Sequence, residues 1–149
     1  MGHFATGVTV VTTRAGDTLH GMTANAVTSL SLDPPLVLVC VEQKATMYEL
    51  LQASGVFAMC LLAESQQEIS NHFATRGPKS FDNYKWFTAE TGSPIFEDSL
   101  AYVDCKVVEV AGGGDHKIFV GEILAGNLQD VDAPPLLYYA GKYRKLAEV

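Results

Sequence analysis

The sequence predicts a mainly β chain with a few helices: a closed or nearly closed, Greek-key-like β-barrel, in one domain over residues 1–149. Three observations carry this. Strand-length runs rich in Val, Thr and Phe recur along the chain. Only two stretches show helical spacing, and they do not alternate regularly with the strands, which argues against a doubly wound parallel sheet. No repeat, linker or low-complexity segment divides the 149 residues, a length that suits one compact domain.

The first strand signal is "FATGVTVVTT", Phe4 to Thr13, where Val8 and Val10 alternate against Thr9 and Val11; "RAGD", Arg14 to Asp17, is turn material. That pattern begins at once, so an additional helix before Phe4 in a longer natural chain stays open. The stretch "HGMTANAVTSLSLDPPLVLVCV", His20 to Val41, supplies two or three strands, broken at Pro34 and Pro35. Its end, Leu36 to Val41, is apolar throughout and is expected to be buried on both faces, as is "GVFAMCLL", Gly55 to Leu62. "AYVDCKVVEV" and "HKIFVGEILAG" are long enough to pair as a hairpin across "AGGGD", and "PLLYYAGKY" reads as a last short strand and turn.

Between these lie the helices. "TMYELLQASG" carries Met47, Leu50 and Leu51 at helical spacing and stops at Gly55, a residue suited to a C-cap. "SQQEISNHFATRG" opens with Ser65 and Glu68 in a capping-box relation and sets Ile69 and Phe73 on one face.

Composition narrows the function. Hydrophobic residues make up 48% of the chain, enough for a sizeable core. With 17 acidic and 10 basic residues the net charge is −7, and no Lys/Arg stripe exists to neutralise phosphates, which argues against nucleic acid. No apolar segment reaches about 18 residues and no signal peptide is visible, so neither membrane insertion nor export is expected. Cys40, Cys60 and Cys105 are an odd number without C-x-x-C spacing, each within an apolar run. They read as buried reduced thiols of a cytoplasmic protein.

The familiar catalytic motifs are missing: no G-x-x-x-x-G-K-[ST], no H-E-x-x-H, no G-x-S-x-G. Gly112 to Gly114 lead into a strand, where a dinucleotide-binding loop must lead into a helix, so they read as a β-turn. His3, His20, His72 and His116 lack metal-ligand spacing, and no metal site is expected. The informative stretch is Gly21 to Ser31. Small side chains let a flat ring approach the backbone, while Thr, Ser and Asn supply donors and acceptors. Lys44 and Thr46 follow the next strand at a helix start, where an ammonium and free N–H groups suit a phosphate. Two polar clusters flanking one strand can converge at the mouth of a barrel. The pattern alone leaves open a second reading, in which Thr28, Ser29 and Ser31 face solvent on an amphipathic strand. His116, after the "GD" turn, would stand at a barrel rim. It is either a satisfied rim residue or a flat partner for an aromatic substrate.

In order and spacing, "FATGVTVVTT", "HGMTANAVTSLSLDPPLVLV", "SGVFAMCLL" followed by Gln66, "NHFA", "GDHKIFVGE" and "PLLYYAGKY" resemble the short-chain NAD(P)H:flavin oxidoreductases. These are the reductase components of two-component flavin monooxygenases such as the 4-hydroxyphenylacetate and phenol hydroxylases. The resemblance covers essentially the whole chain and implies an FMN-binding split β-barrel, a homodimer, that reduces FMN or FAD with NADH or NADPH. It implies that Thr23, Ala24 and Asn25 lie along the flavin ring. Ser29, Ser31, Lys44 and Thr46 would reach the ribityl chain and phosphate. Asn71, Phe73 and Ala74 would lie near the phosphate end, and His116 where the nicotinamide docks. One departure is that "EQKATMYE" lacks the Ser that many members carry in an S-x-T pattern, which shifts weight onto Lys44. The expected activity is hydride transfer to flavin, with reduced flavin supplied to a partner monooxygenase. The alternatives are a non-catalytic flavin-binding or electron-transfer module of the same fold, or a pyridoxamine-phosphate-oxidase-like enzyme. The last would call for added basic residues.

Overall fold

The computed structural model describes residues 1–147. Its strands are β1 (Thr6–Gly7), β2 (Thr9–Ala15), β3 (Thr18–Ala24), β4 (Val27–Leu32), β5 (Pro35–Glu42) and β6 (Val56–Leu61). Then follow β7 (Trp86–Phe87), β8 (Ile95–Phe96), β9 (Ala101–Gly113), β10 (His116–Leu128), β11 (Leu137–Tyr139) and β12 (Lys142–Arg144). Helix α1 (Thr46–Ser54) precedes β6; a short 3-10 turn (Glu64–Gln66) leads into α2 (Gln67–Ala74).

Seven strands form one antiparallel sheet in the order β3-β2-β6-β9-β10-β5-β4. All seven send side chains into a single apolar cluster: Val11, Ala24, Val27, Val39, Phe57, Cys105 and Phe119 mark one contribution from each. A sheet whose every strand reaches one core must curl around it, so the expected barrel is there. It is split along the seam where the edge strands β3 and β4 meet, two residues apart in sequence. Helix α1 plugs the barrel with Met47 and Leu51, and ends where expected, at Gly55 in the left-handed region (φ 67°).

A second cluster lies on the outer face of β2 and β6. Val8, Val10, Ala58 and Cys60 alternate with the barrel-facing residues and meet Phe73 of α2, Phe81, Phe96 and Leu136. Residues 75–100 supply much of this layer, including the β7/β8 pair, which carried no clear sequence signal. The buried Asp104 carboxylate tethers it by accepting the Thr91 N–H at 2.8 Å and the Thr91 hydroxyl. Thus β6 is buried on both faces, as its apolar run predicts.

β5 departs from that expectation. Only Val37, Val39 and Val41 are buried, while Leu36, Leu38 and Cys40 are half-buried, because no second layer covers the outer face. Cys40 is therefore not a core thiol. Burial does push the Cys60 and Cys105 thiols up to about 12. At α2 the Ser65 cap does not form; the Gln66 side-chain carbonyl takes the Ala63 N–H instead, at 2.9 Å. The final segment is a hairpin, β11/β12, pairing with β1, turned at Ala140 (φ 52°) and Gly141 (φ 75°). Among the described residues no helix is long and apolar enough to cross a membrane.

The sheet closes tightly at Gly121, whose pro-Cβ position lies 2.5 Å from Phe57 Cζ and 2.8 Å from Cys105 Cβ. Gly121→Ala is expected to cost about 1–3 kcal/mol by overpacking. Gly112→Ala, at a strand position with open space around it, is expected to cost under about 0.5 kcal/mol. Urea unfolding of both variants checks the pair; equal losses would mean the Phe57 contact does not limit the site.

Candidate functional site

A cleft of about 460 Å³ opens between β3, the start of α1, the end of α2 with residues 75–79, and the β11/β12 hairpin. One wall is the Gly21–Ala24 stretch of β3. This is an edge strand, paired only with β2, so the other side of its backbone has no strand partner and faces ligand space. Gly21 is obligatory there because a Cβ would sit 2.6 Å from the Phe73 ring. The Thr23 hydroxyl donates to the Ser70 carbonyl at 2.6 Å, fixing α2 against β3. The Tyr143 hydroxyl donates to Asn71 Oδ1 at 3.0 Å and so receives the Ser70 hydroxyl at 2.7 Å, which brings the terminal hairpin into the same wall.

The cleft inverts the protein's overall charge. Lys44, Arg76 and Lys79 all line it in a chain of net charge −7, with Glu42 the carboxylate at its rim. Lys79 donates to Thr75 Oγ1 at 2.8 Å and to the Thr75 carbonyl, and its ammonium is held below the usual lysine range by desolvation. His20, 6% exposed, is likewise held below the ordinary imidazole value, by burial first and by Lys79 second, which favours the neutral ring. Helix α1 begins in the same cleft, two residues after Lys44. Its N-cap, Ala45, is extended (φ −75°, ψ 144°) and offers no side-chain acceptor to the first turn's N–H groups. A helix start with no side-chain cap, opening into a cleft that three cations line, suits an anionic group such as phosphate. An edge backbone with small side chains suits the rim of a planar heterocycle. The residues present therefore fit a flavin nucleotide.

Of the residues singled out from sequence, Thr23, Ala24, Asn25, Lys44, Thr46, Phe73 and Ala74 line this cleft. Asn71 stands behind it, accepting from Tyr143. Ser29 and Ser31 do not line it: they sit on β4, the opposite sheet edge, flanking exposed Leu30 and Leu32. His116 is also outside it, opening β10 directly across from Glu42 of β5. Its Nδ1 lies 2.7 Å from Asp115 Oδ1. The imidazole beside it holds the Asp115 carboxyl below its ordinary value, so the carboxylate accepts the Nδ1 proton. Arg76, Lys79, His20 and Tyr143 escaped the sequence reading. The two cations of "TRGPK", directly after "NHFA", were the available signal.

The chain matches the model of the flavin reductase-like domain over residues 1–147. It is 40% identical to the reductase subunit HsaB of a flavin-dependent monooxygenase from Mycobacterium tuberculosis, over 96% of this chain and 77% of that relative. It is 40% identical to the reductase component of 4-hydroxyphenylacetate 3-monooxygenase from Thermus thermophilus, covering 98% and 92%. The solved NADH:FAD oxidoreductase SgcE6 of Streptomyces globisporus superposes with a TM-score of 0.94 at 39% identity, covering 99% of this chain and 89% of that one. The same oxidoreductase has also been solved in complex with NAD and FAD fragments, and superposes at 0.92. Matched along nearly its whole length by the family model, by these relatives and by the solved fold, this chain belongs to the flavin reductase-like family.

Proposed function

We propose that this protein is an NAD(P)H-dependent flavin reductase that passes hydride to FMN or FAD and supplies reduced flavin to a partner monooxygenase. The observation that carries the reading is the meeting, in one cleft, of an open β3 edge, the uncapped start of α1 and three cations, Lys44, Arg76 and Lys79. When bound, the flavin supplies the redox chemistry by accepting hydride from the reduced nicotinamide. The chain's own residues bind and orient. Thr23, Ala24 and Asn25 border the ring, and backbone donors there favour charge building on its pyrimidine edge. Lys44, Thr46, Arg76 and Lys79, with Ala74 at the end of α2, hold the phosphate end. His116, its Nδ1 engaged by Asp115, presents its other face to the nicotinamide and orients it. No side chain needs to abstract a proton; aligning two rings is an orientation effect.

Anaerobic mixing with NADH, followed by loss of the visible flavin absorption, tests the activity. Rapid bleaching is expected; tight flavin binding with bleaching no faster than free flavin would instead identify a non-catalytic flavin module.

A homodimer completes the reading. Leu30, Leu32, Val108, Val110, Leu124 and Leu128 are all exposed on β4, β9 and β10, in the half of the sheet that ends at β4. A second copy covering the β4 edge would bury Leu30 and Leu32 and bring its surroundings to Ser29 and Ser31, the serines assigned to the ribityl chain. The three cysteines are free, which agrees with the reducing cytoplasm as its compartment.

Two further outcomes are expected. Light scattering should return twice the 16.0 kDa chain mass at micromolar concentration, and a monomer mass would remove the interface. Lys44→Ala should weaken FMN binding about tenfold, roughly 1.4 kcal/mol, while riboflavin, lacking the phosphate, binds both forms alike. An equal loss for riboflavin in a fluorescence titration would make Lys44 a structural residue.

A further inference from the structure

The tip of the β9/β10 hairpin is not free. It is a two-residue turn, Gly114–Asp115, with Gly114 first and at φ 69°, so its two carbonyls need partners outside the β9/β10 ladder. Both find them on one residue. The Gln43 backbone N–H donates to the Asp115 carbonyl at 3.0 Å, and its side-chain Nε2 donates to the Gly114 carbonyl at 3.0 Å. Gln43 follows Glu42, whose Cα pairs with His116, and precedes Lys44, which lines the cleft. One residue thus joins the cation-bearing rim of the cleft to the turn that carries His116. Its own side chain is exposed and enters neither apolar cluster.

We infer that Gln43 is a positioning residue: by clasping both carbonyls of the Gly114–Asp115 turn it sets where His116 stands relative to the cleft, and so how productively the nicotinamide is held. The inference rests on the reading of His116 given above and goes beyond it. The backbone half of the clasp survives any substitution except proline. The side-chain half is worth one neutral hydrogen bond on a solvent-facing turn. Losing it lets the tip swing, while the β10 ladder below His116, paired with β5 from Val41 to Leu36, stays in register. Asp115 moves with the turn, so the Asp115–His116 contact travels as a unit and the loss is one of placement.

A double-mutant cycle separates the possibilities. Gln43→Leu, which keeps the size and removes the donor, is expected to raise KM for NADH about three- to tenfold, with kcat and FMN affinity within about twofold. Gln43→Arg, which restores a donor of sufficient reach, should recover most of the loss. In the ligand-free protein, Gln43→Leu should speed amide exchange at Asp115 and His116 but not in the β5/β10 ladder from Lys117 onward. His116→Ala should lower kcat/KM for NADH by about ten- to a hundredfold and leave FMN affinity within about threefold. In that background Gln43→Leu should add nothing further, because the residue acts through His116. If His116→Ala leaves NADH kinetics unchanged, the assignment of His116 to the nicotinamide fails and takes this inference with it. If His116→Ala is damaging but Gln43→Leu is silent, or its effect adds in full to that of His116→Ala, the nicotinamide assignment stands and the clasp is overturned.

Discussion

The contact on which the site depends is the approach of the Phe73 ring to Gly21. No side chain larger than hydrogen fits at position 21, since a Cβ would lie 2.6 Å from that ring. Because the ring reaches the backbone of β3, α2 can lie flat against the sheet. The Thr23 hydroxyl then meets the Ser70 carbonyl, and Ser70 and Asn71 meet Tyr143 of the last hairpin. Three segments distant in sequence are drawn to one edge strand, and the cleft is the space left between them. Aromatic neighbours of Phe73, namely Phe81, Tyr84 and Phe96, brace the ring from the other side. The same residue therefore serves both the outer core and the ligand wall.

That arrangement leaves β3 unpaired on its outer edge, ordinarily a liability that proteins cover or charge. Here the uncovered edge is confined to a concave site with cations at one end. The opposite sheet edge, β4, is managed differently: it carries exposed Leu30 and Leu32 and adjoins the half-buried outer face of β5. One edge borders the cleft and the other carries exposed leucines. The split in the barrel is the common origin of both.

Much of this was legible in the residues. Strand-length apolar runs, the Gly55 stop of α1 and the Gly114 turn each express local chemistry strong enough to survive folding. The miss at β5 has a physical cause. Leu36 to Val41 and Val56 to Leu61 look alike because both are continuous apolar runs, yet only the second is covered on both faces within this chain. What covers β6 is the layer from residues 75–100, which has little regular structure and announces itself only through scattered aromatics. Burial of a strand's second face depends on a partner segment that periodicity does not encode. The Ser65 cap failed for a related reason: Gln66 is buried, and its amide is the acceptor already in place for the Ala63 N–H.

The site shows the same division. Thr23 on β3, Asn25 just after it and Lys44 just before α1 stood out in the sequence as polar residues beside strand and helix ends. Arg76 and Lys79 act from a loop after α2, and only the docking of α2 by Phe73 carries that loop to the cleft. His116 was visible as a rim residue, but its distance from the cleft wall was not. It opens β10 across from Glu42, the last residue of β5, and it is Glu42 and Lys44, not His116, that line the cleft. Two rings must be aligned for hydride to pass, so the groups that hold them have to approach from different walls. On the proposed reading the β3 wall and the β10 tip are those two supports, and neither has to carry a proton.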